Sequence, residues 1–173
     1  NIGNDNSIEY LNSENIEYSF TNYNSGICEG VNMASKLAST DFIIYAHDDF
    51  YFSPNWDKFI HDEIKKIGHN NFYLSSSTIG THGNSLDCGD SYDNFNEDKF
   101  LNNYNKIKFN DMQGSTWAPH AVHKSLWMKV GGFSEEFFPG AGSDPDFNMK
   151  LWNEGVRIFK TLSESKIYHF KSK

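Results

Sequence analysis

Hydrophobic and polar residues along this chain alternate between two periods. Ile16-Glu17-Tyr18-Ser19-Phe20 alternates every second residue, which predicts a half-buried strand. From Ile27 to Leu37 the apolar residues Ile27, Val31, Ala34 and Leu37 recur at helical spacing, behind the turn and capping residues Asn24, Ser25 and Gly26. Phe42-Ile43-Ile44-Tyr45-Ala46 is an unbroken apolar run of the kind that forms a buried strand, so this part of the chain reads as a β-turn-α-β unit. Pro54 then opens an amphipathic helix to about Ile67, with Trp56, Phe59, Ile60, Ile64 and Ile67 on one face.

Further along, Asn71–Ser77 reads as a strand and Thr78 to about Asp93 as a long loop rich in Gly, Ser, Asn and Asp. A short helix is expected over Phe95–Tyr104, a short strand over Gly114–Ala118, and a helix over Lys124–Val130 ended by Gly131 and Gly132. The last helix places Asp144 at the N-cap, Pro145 at the first helical position and Asp146 in the first turn, then runs from Phe147 to Glu154 before Gly155. Two short strands, Arg157–Phe159 and Ile167–His169, close the pattern. With no internal repeat and no dividing linker, residues 1–173 are expected to form a single α/β domain with a mixed central sheet.

One of these elements carries chemistry. The Phe42–Ala46 strand runs directly into His47-Asp48-Asp49, and ligands of open α/β sheets gather at the carboxyl ends of such strands. Two carboxylates there suit a metal, although such residues also cap helices or face solvent. The formal net charge of -8 argues against a nucleic-acid footprint and means that a phosphorylated ligand needs a cation to supply positive charge. Cys28 and Cys88 form no framework, so free thiols in a reducing compartment are expected. No apolar run is long enough to span a bilayer, and the first residues lack signal-peptide character. The expected location is cytoplasmic, with peripheral membrane association kept open. Ile2-Gly3 resembles the end of a strand whose start is absent, so a fragment lacking its first strand is expected.

Five segments in order resemble the family 2 glycosyltransferases of the GT-A, Rossmann-like fold. Asn4-Asp5-Asn6-Ser7 resembles the family's Asp-Asp-Gly-Ser turn, and Asn24-Ser25-Gly26 with Asn32 its Asn-x-Gly and downstream Asn. His47-Asp48-Asp49 stands in place of the Asp-x-Asp metal motif, and Val130-Gly131-Gly132-Phe133-Ser134-Glu135-Glu136 resembles the Gly-Gly-Phe-Asp-Glu segment. Ser143-Asp144-Pro145-Asp146 and a late His169 complete the set. The chain departs from the pattern at Asn4, His47, Ser143 and Lys150, where the family has other residues.

The resemblance implies inverting, metal-assisted transfer of a sugar from a nucleotide sugar, with a UDP-sugar the expected donor, to a hydroxyl of a glycan, a lipid-linked acceptor or a protein. It implies Mn²⁺ or Mg²⁺ held by Asp49 and His169, and donor contacts from Asn4, Asn24, Gly26, Asn32 and Asp48; His47 is a further candidate ligand, with a purely hydrogen-bonded imidazole as its alternative. Asp144 is the implied general base, ionised near neutral pH through its helix N-terminus, with helix capping the competing role. Asp146 is expected to pair with Lys150 one turn on. Trp117, Gly132 and Phe133 are the candidate acceptor surface, because aromatic faces cover the apolar side of a sugar. Two other readings stand beside this one. A metal-dependent hydrolase would draw His120 and His123 into an imidazole-rich centre, and a carbohydrate-binding module would keep the fold without transfer.

Overall fold

A computed structural model describes residues 6–80 and 86–170. The chain divides into two compact units, one of Asn1–Ile43 with His123–Gly155 and the other of Ile44–Val122 with Val156–Lys173.

In the first unit, α1 (Ser7–Ser13) precedes α2 (Gly26–Ser35), α5 (Lys124–Val130) and α6 (Ser143–Asn153). The α5 boundaries agree with the sequence reading, since Gly131 at φ 77° supplies the left-handed residue that ends the helix. Its core joins three rings. Trp127 of α5, Phe133 and Phe147 of α6 lie with centroids 4.8–5.3 Å apart, edge-on or tilted as aromatic quadrupoles prefer. The Trp127 indole N–H donates to Ser35 Oγ at 3.1 Å, so its polar end is satisfied.

The expected strand over Ile16–Phe20 is irregular chain. Its alternation places Ile16 and Phe20 on one side, yet both are exposed, so no apolar face is buried to reward strand pairing. The helix α1 was absent from the sequence reading because its seven residues contain only Ile8, Tyr10 and Leu11 as apolar positions.

The second unit carries the sheet, in strand order β1 (Phe42–Tyr45), β5 (His120–His123), β3 (Tyr73–Gly80), β6 (Phe159–His169) and β2 (Phe50–Phe52), with β4 (Met112–Gln113) also paired to β6. The pair β3–β6 is parallel, whereas β2–β6, β3–β5 and β4–β6 are antiparallel, so the sheet is mixed as expected. The two closing strands of the sequence reading are one continuous β6 with a register shift opposite Ser76 and Ser77. The expected strand at Gly114–Ala118 is irregular, because Gly114 turns the chain at φ 95° immediately after β4.

Helix α3 (Trp56–Ile67) packs on β6 and β3, and the Phe52 and Trp56 rings meet 4.2 Å apart at a tilt of 35° where β2 leads into it. In the same unit α4 (Glu97–Leu101) supplies Phe100, fully buried among Ile79, Cys88, Tyr168 and Phe170. Tyr168 also ties down the loop before α4, donating its O–H to the Gly89 carbonyl and accepting the Cys88 N–H, each at 2.8 Å.

Phe100 touches Tyr51, Tyr104 and Tyr168 at ring distances of 5.4–5.7 Å, so Phe100→Ala opens a cavity that these stiff rings cannot collapse to fill. The expected loss is about 3–5 kcal/mol in a denaturant titration; a loss below about 1 kcal/mol contradicts the packing described.

Candidate active site

The segment after β1 turns at His47-Asp48-Asp49 and returns as β2, whose Phe50 pairs with His169 at the end of β6. The Phe170 N–H donates to the Asp49 carbonyl at 2.9 Å, extending that ladder by one bond. Two side chains 120 residues apart in sequence are thereby joined, with His169 Nε2 at 3.1 Å from Asp49 Oδ2. His47 Nδ1 lies 3.9 Å from Asp49 Oδ1. One ligand atom from each of His47, Asp49 and His169 falls within 4.8 Å of the others, and among the described residues these three form the single such group of His, Cys, Asp and Glu.

Burial pushes the His47 imidazole below its ordinary pKa, against the opposing attraction of Asp49, which leaves a neutral ring with a lone pair for a metal. Two imidazole nitrogens and a carboxylate oxygen suit a first-row transition ion better than Mg²⁺, which favours oxygen donors and its own waters. The donor set therefore fits a divalent cation. Asp48, next in sequence, is exposed.

The other histidines do not enlarge the centre. His120 is fully buried, its Nδ1 2.9 Å from the Tyr73 hydroxyl, and burial lowers its pKa to about 3. His123 caps α5, accepting the Ser125 N–H at 3.2 Å. Trp117 is half-buried and donates its indole N–H to the Ser76 carbonyl at 3.4 Å, so the sheet fixes its ring.

In the first unit, the start of α6 differs from the sequence reading. Gly142, at φ 90°, is the N-cap, and Asp144 is the second helical residue. Ser143 makes the local turn instead, donating both N–H and Oγ to the Gly140 carbonyl at 3.1 and 2.7 Å. Asp144 Oδ1 is buried without a hydrogen-bond partner among the described residues. Burial raises the Asp144 pKa to about 6. The expectation that the helix terminus would favour ionisation is thus reversed in direction: desolvation outweighs the dipole. At pH 7 the group remains roughly nine-tenths ionised.

The expected Asp146–Lys150 contact is present at 3.9 Å, with Ser134 Oγ donating to Asp146 Oδ2 at 2.6 Å and accepting from Lys150 Nζ at 3.1 Å. Asn32 is committed to the chain itself. Its Oδ1 accepts the Phe133 N–H at 2.9 Å, while Nδ2 donates to the Phe133 carbonyl at 2.8 Å and Glu135 at 3.1 Å. Gly132, at φ 64°, leaves no room for a Cβ beside the Asn32 oxygen. Phe133 is 1% exposed, so its ring belongs to the core and cannot be the sugar platform expected of it. Asn24 accepts the Gly26 N–H at 3.1 Å, making the turn into α2. Asn4 lies outside the described residues.

Phe50 went unnoticed in the sequence, although the alternating Phe50-Tyr51-Phe52 directly after the carboxylates marks a short aromatic strand. Its ring stacks on His47 at 4.9 Å and meets His169 edge-on at 4.8 Å.

The architecture is found in solved structures. S. aureus TarS 1-349 superposes with TM-score 0.69 at 17% identity, covering 97% of this chain and 48% of that one. The same protein in complex with UDP-GlcNAc gives 0.69 at 16%, covering 99% and 48%. GalNAc-T7 with UDP, GalNAc and Mn²⁺ gives 0.69 at 13%, covering 96% and 35%. The chain therefore covers less than half the length of the chain in each of these three structures, and the likeness establishes its fold as GT-A. The profile of glycosyl transferase family 2 matches residues 4–130, and the chain belongs to that family. No curated protein matches the sequence at a significant level.

The raised Asp144 pKa gives a stability signature. Below the unfolded value near 3.8 the carboxyl is neutral in both states, and as pH rises towards about 6 the unfolded state alone ionises, so stability falls. Asp144→Asn removes that penalty. Its Tm should exceed wild type by roughly 2–6 °C at pH 7.5 and converge on it near pH 3; an equal difference at both pH values contradicts the burial of an ionisable group there.

Proposed function

We propose that this chain is the catalytic domain, or part of it, of a metal-assisted glycosyltransferase that moves a sugar from a UDP-sugar to an acceptor hydroxyl with inversion. The observation that carries the reading is the convergence of His47, Asp49 and His169 at one strand end in a member of family 2. TarS with UDP-GlcNAc and GalNAc-T7 with UDP and Mn²⁺ support the choice of donor and ion. Both compact units are taken to serve one domain.

His47, Asp49 and His169 would hold a divalent cation, which would supply neutralising charge to the leaving diphosphate. Asp48, exposed next to that cluster, is assigned to the donor ribose, and Asn24 and Gly26 to the donor as well. Asp144 takes the proton of the acceptor hydroxyl as its oxygen bonds to the anomeric carbon. The bond from that carbon to the diphosphate oxygen breaks on the opposite side, and the nucleoside diphosphate leaves with the electron pair. A base with a pKa of about 6 is ionised at neutral pH yet basic enough to share the proton in the transition state. Trp117 and the Gly132 turn are assigned to the acceptor, a glycan, lipid-linked or protein hydroxyl.

The hydrolase reading loses its support because His120 and His123 are engaged elsewhere. The carbohydrate-binding reading differs from transfer in its kinetics, which the same assay separates.

UDP with Mn²⁺ should stabilise the protein by about 2.7 kcal/mol at a hundredfold excess over Kd, seen as a thermal shift, and UDP with EDTA should not. Asp49→Asn should abolish the Mn²⁺-dependent shift. Asp144→Asn should keep it while lowering kcat roughly 10²- to 10⁴-fold. Equal stabilisation in EDTA, or normal turnover by Asp144→Asn, overturns the corresponding assignment.

A further inference from the structure

Imidazole ligands of metal centres are usually oriented by a hydrogen bond from the ring nitrogen that does not face the metal, which fixes both tautomer and ring plane. His47 makes no hydrogen bond among the described residues; Asp49 Oδ1 lies 3.9 Å from its Nδ1 and a ring nitrogen of His169 is within 4.8 Å. Its ring is instead held between two aromatic side chains. Phe50 stacks on it at 4.9 Å with the planes 16° apart, and Tyr45 meets it at 5.2 Å with the planes 67° apart. The same Phe50 ring meets His169 at 4.8 Å and 89°. One half-buried phenyl group thus touches both imidazoles of the cluster, one by its face and the other edge-on.

Phe50 is itself well anchored. Its backbone pairs with His169 in the β2–β6 ladder, and its ring meets Phe52 at 6.4 Å, which in turn packs on Trp56 at the start of α3. A ring tied to the sheet in this way restricts rotation of both imidazoles before any ligand arrives, a form of preorganisation that spares the ordering cost at binding.

We propose that Phe50 is a positioning residue of the metal centre, holding His47 by its ring face where metal sites usually use an outer hydrogen bond, and bracing His169 edge-on beside its contact with Asp49. This rests on the reading of His47, Asp49 and His169 as the metal ligands.

The test is Mn²⁺ affinity in the absence of any nucleotide, measured by isothermal titration and by loss of the free Mn²⁺ electron-paramagnetic-resonance signal, on the chain as given. Phe50→Leu keeps apolar volume but removes the flat ring, and should weaken Mn²⁺ binding about tenfold or more while the apo Tm stays within a few degrees of wild type. Phe50→Tyr keeps the stacking face and should bind within about twofold of wild type. Phe50→Met serves in the same way as Leu should the latter fold poorly. A Leu or Met variant that binds Mn²⁺ as tightly as wild type overturns the proposal while leaving the metal centre intact. Wild-type protein that binds no Mn²⁺ overturns both the centre and the role of Phe50.

Discussion

The register of β6 is the constraint on which the candidate metal centre depends. Strand side chains alternate faces, so a slip of one residue would turn His169 away from Asp49 and bring Tyr168 in its place. Two ladders oppose that slip. On one side Phe50 pairs with His169, Tyr51 with Tyr168 and Phe52 with Ile167. On the other, β3 runs parallel and its register jumps between Ser76, opposite Leu162, and Ser77, opposite Lys166. The residues between, Ser163, Glu164 and Ser165, are absorbed in an irregularity that is pinned at both ends. The Ser163 N–H donates to Asp111 Oδ1 at 2.9 Å, and Ser165 Oγ donates to the Trp56 carbonyl at 2.9 Å and lies 2.7 Å from Ser76 Oγ. Local polar contacts far from the centre thus decide which side chain reaches it.

In the other unit a different balance governs Asp144. A carboxylate in the first turn of a helix is stabilised as an anion by roughly 0.3–1 kcal/mol, less than burial of an unpartnered charge costs. Burial wins, and the pKa rises to about 6. The neighbouring polar groups do not offset this, because Ser143 turns back to Gly140 while Asp146, Ser134 and Lys150 satisfy one another. The residue that helix chemistry would assign to capping is thereby left with a buried oxygen that has no partner among the described residues.

Much of this was legible in the residues. Strong periodicity located α2, α3 and α5 to within about two residues, and the apolar run into His47-Asp48-Asp49 marked the strand end that bears the cluster. What escaped detection has physical reasons. The strand β2 is three residues long, too short for alternation to register, so Phe50 was missed although it touches both imidazoles. Ile16–Phe20 alternates but buries no face, and pattern alone cannot show that. The fates of Asn32 and Phe133 depend on a turn more than 100 residues from α2, joined by hydrogen bonds that no local window contains. The sign of the Asp144 shift depends on tertiary burial, which the helix-start pattern does not encode.

The central claim is that His47, Asp49 and His169 hold one divalent cation together. Electron–nuclear double resonance of the Mn²⁺-loaded protein reads the ligand atoms directly. The account predicts couplings from two imidazole nitrogens, one lost in His47→Ala and the other in His169→Ala. A bound Mn²⁺ surrounded by oxygen alone, unchanged by either substitution, would contradict it.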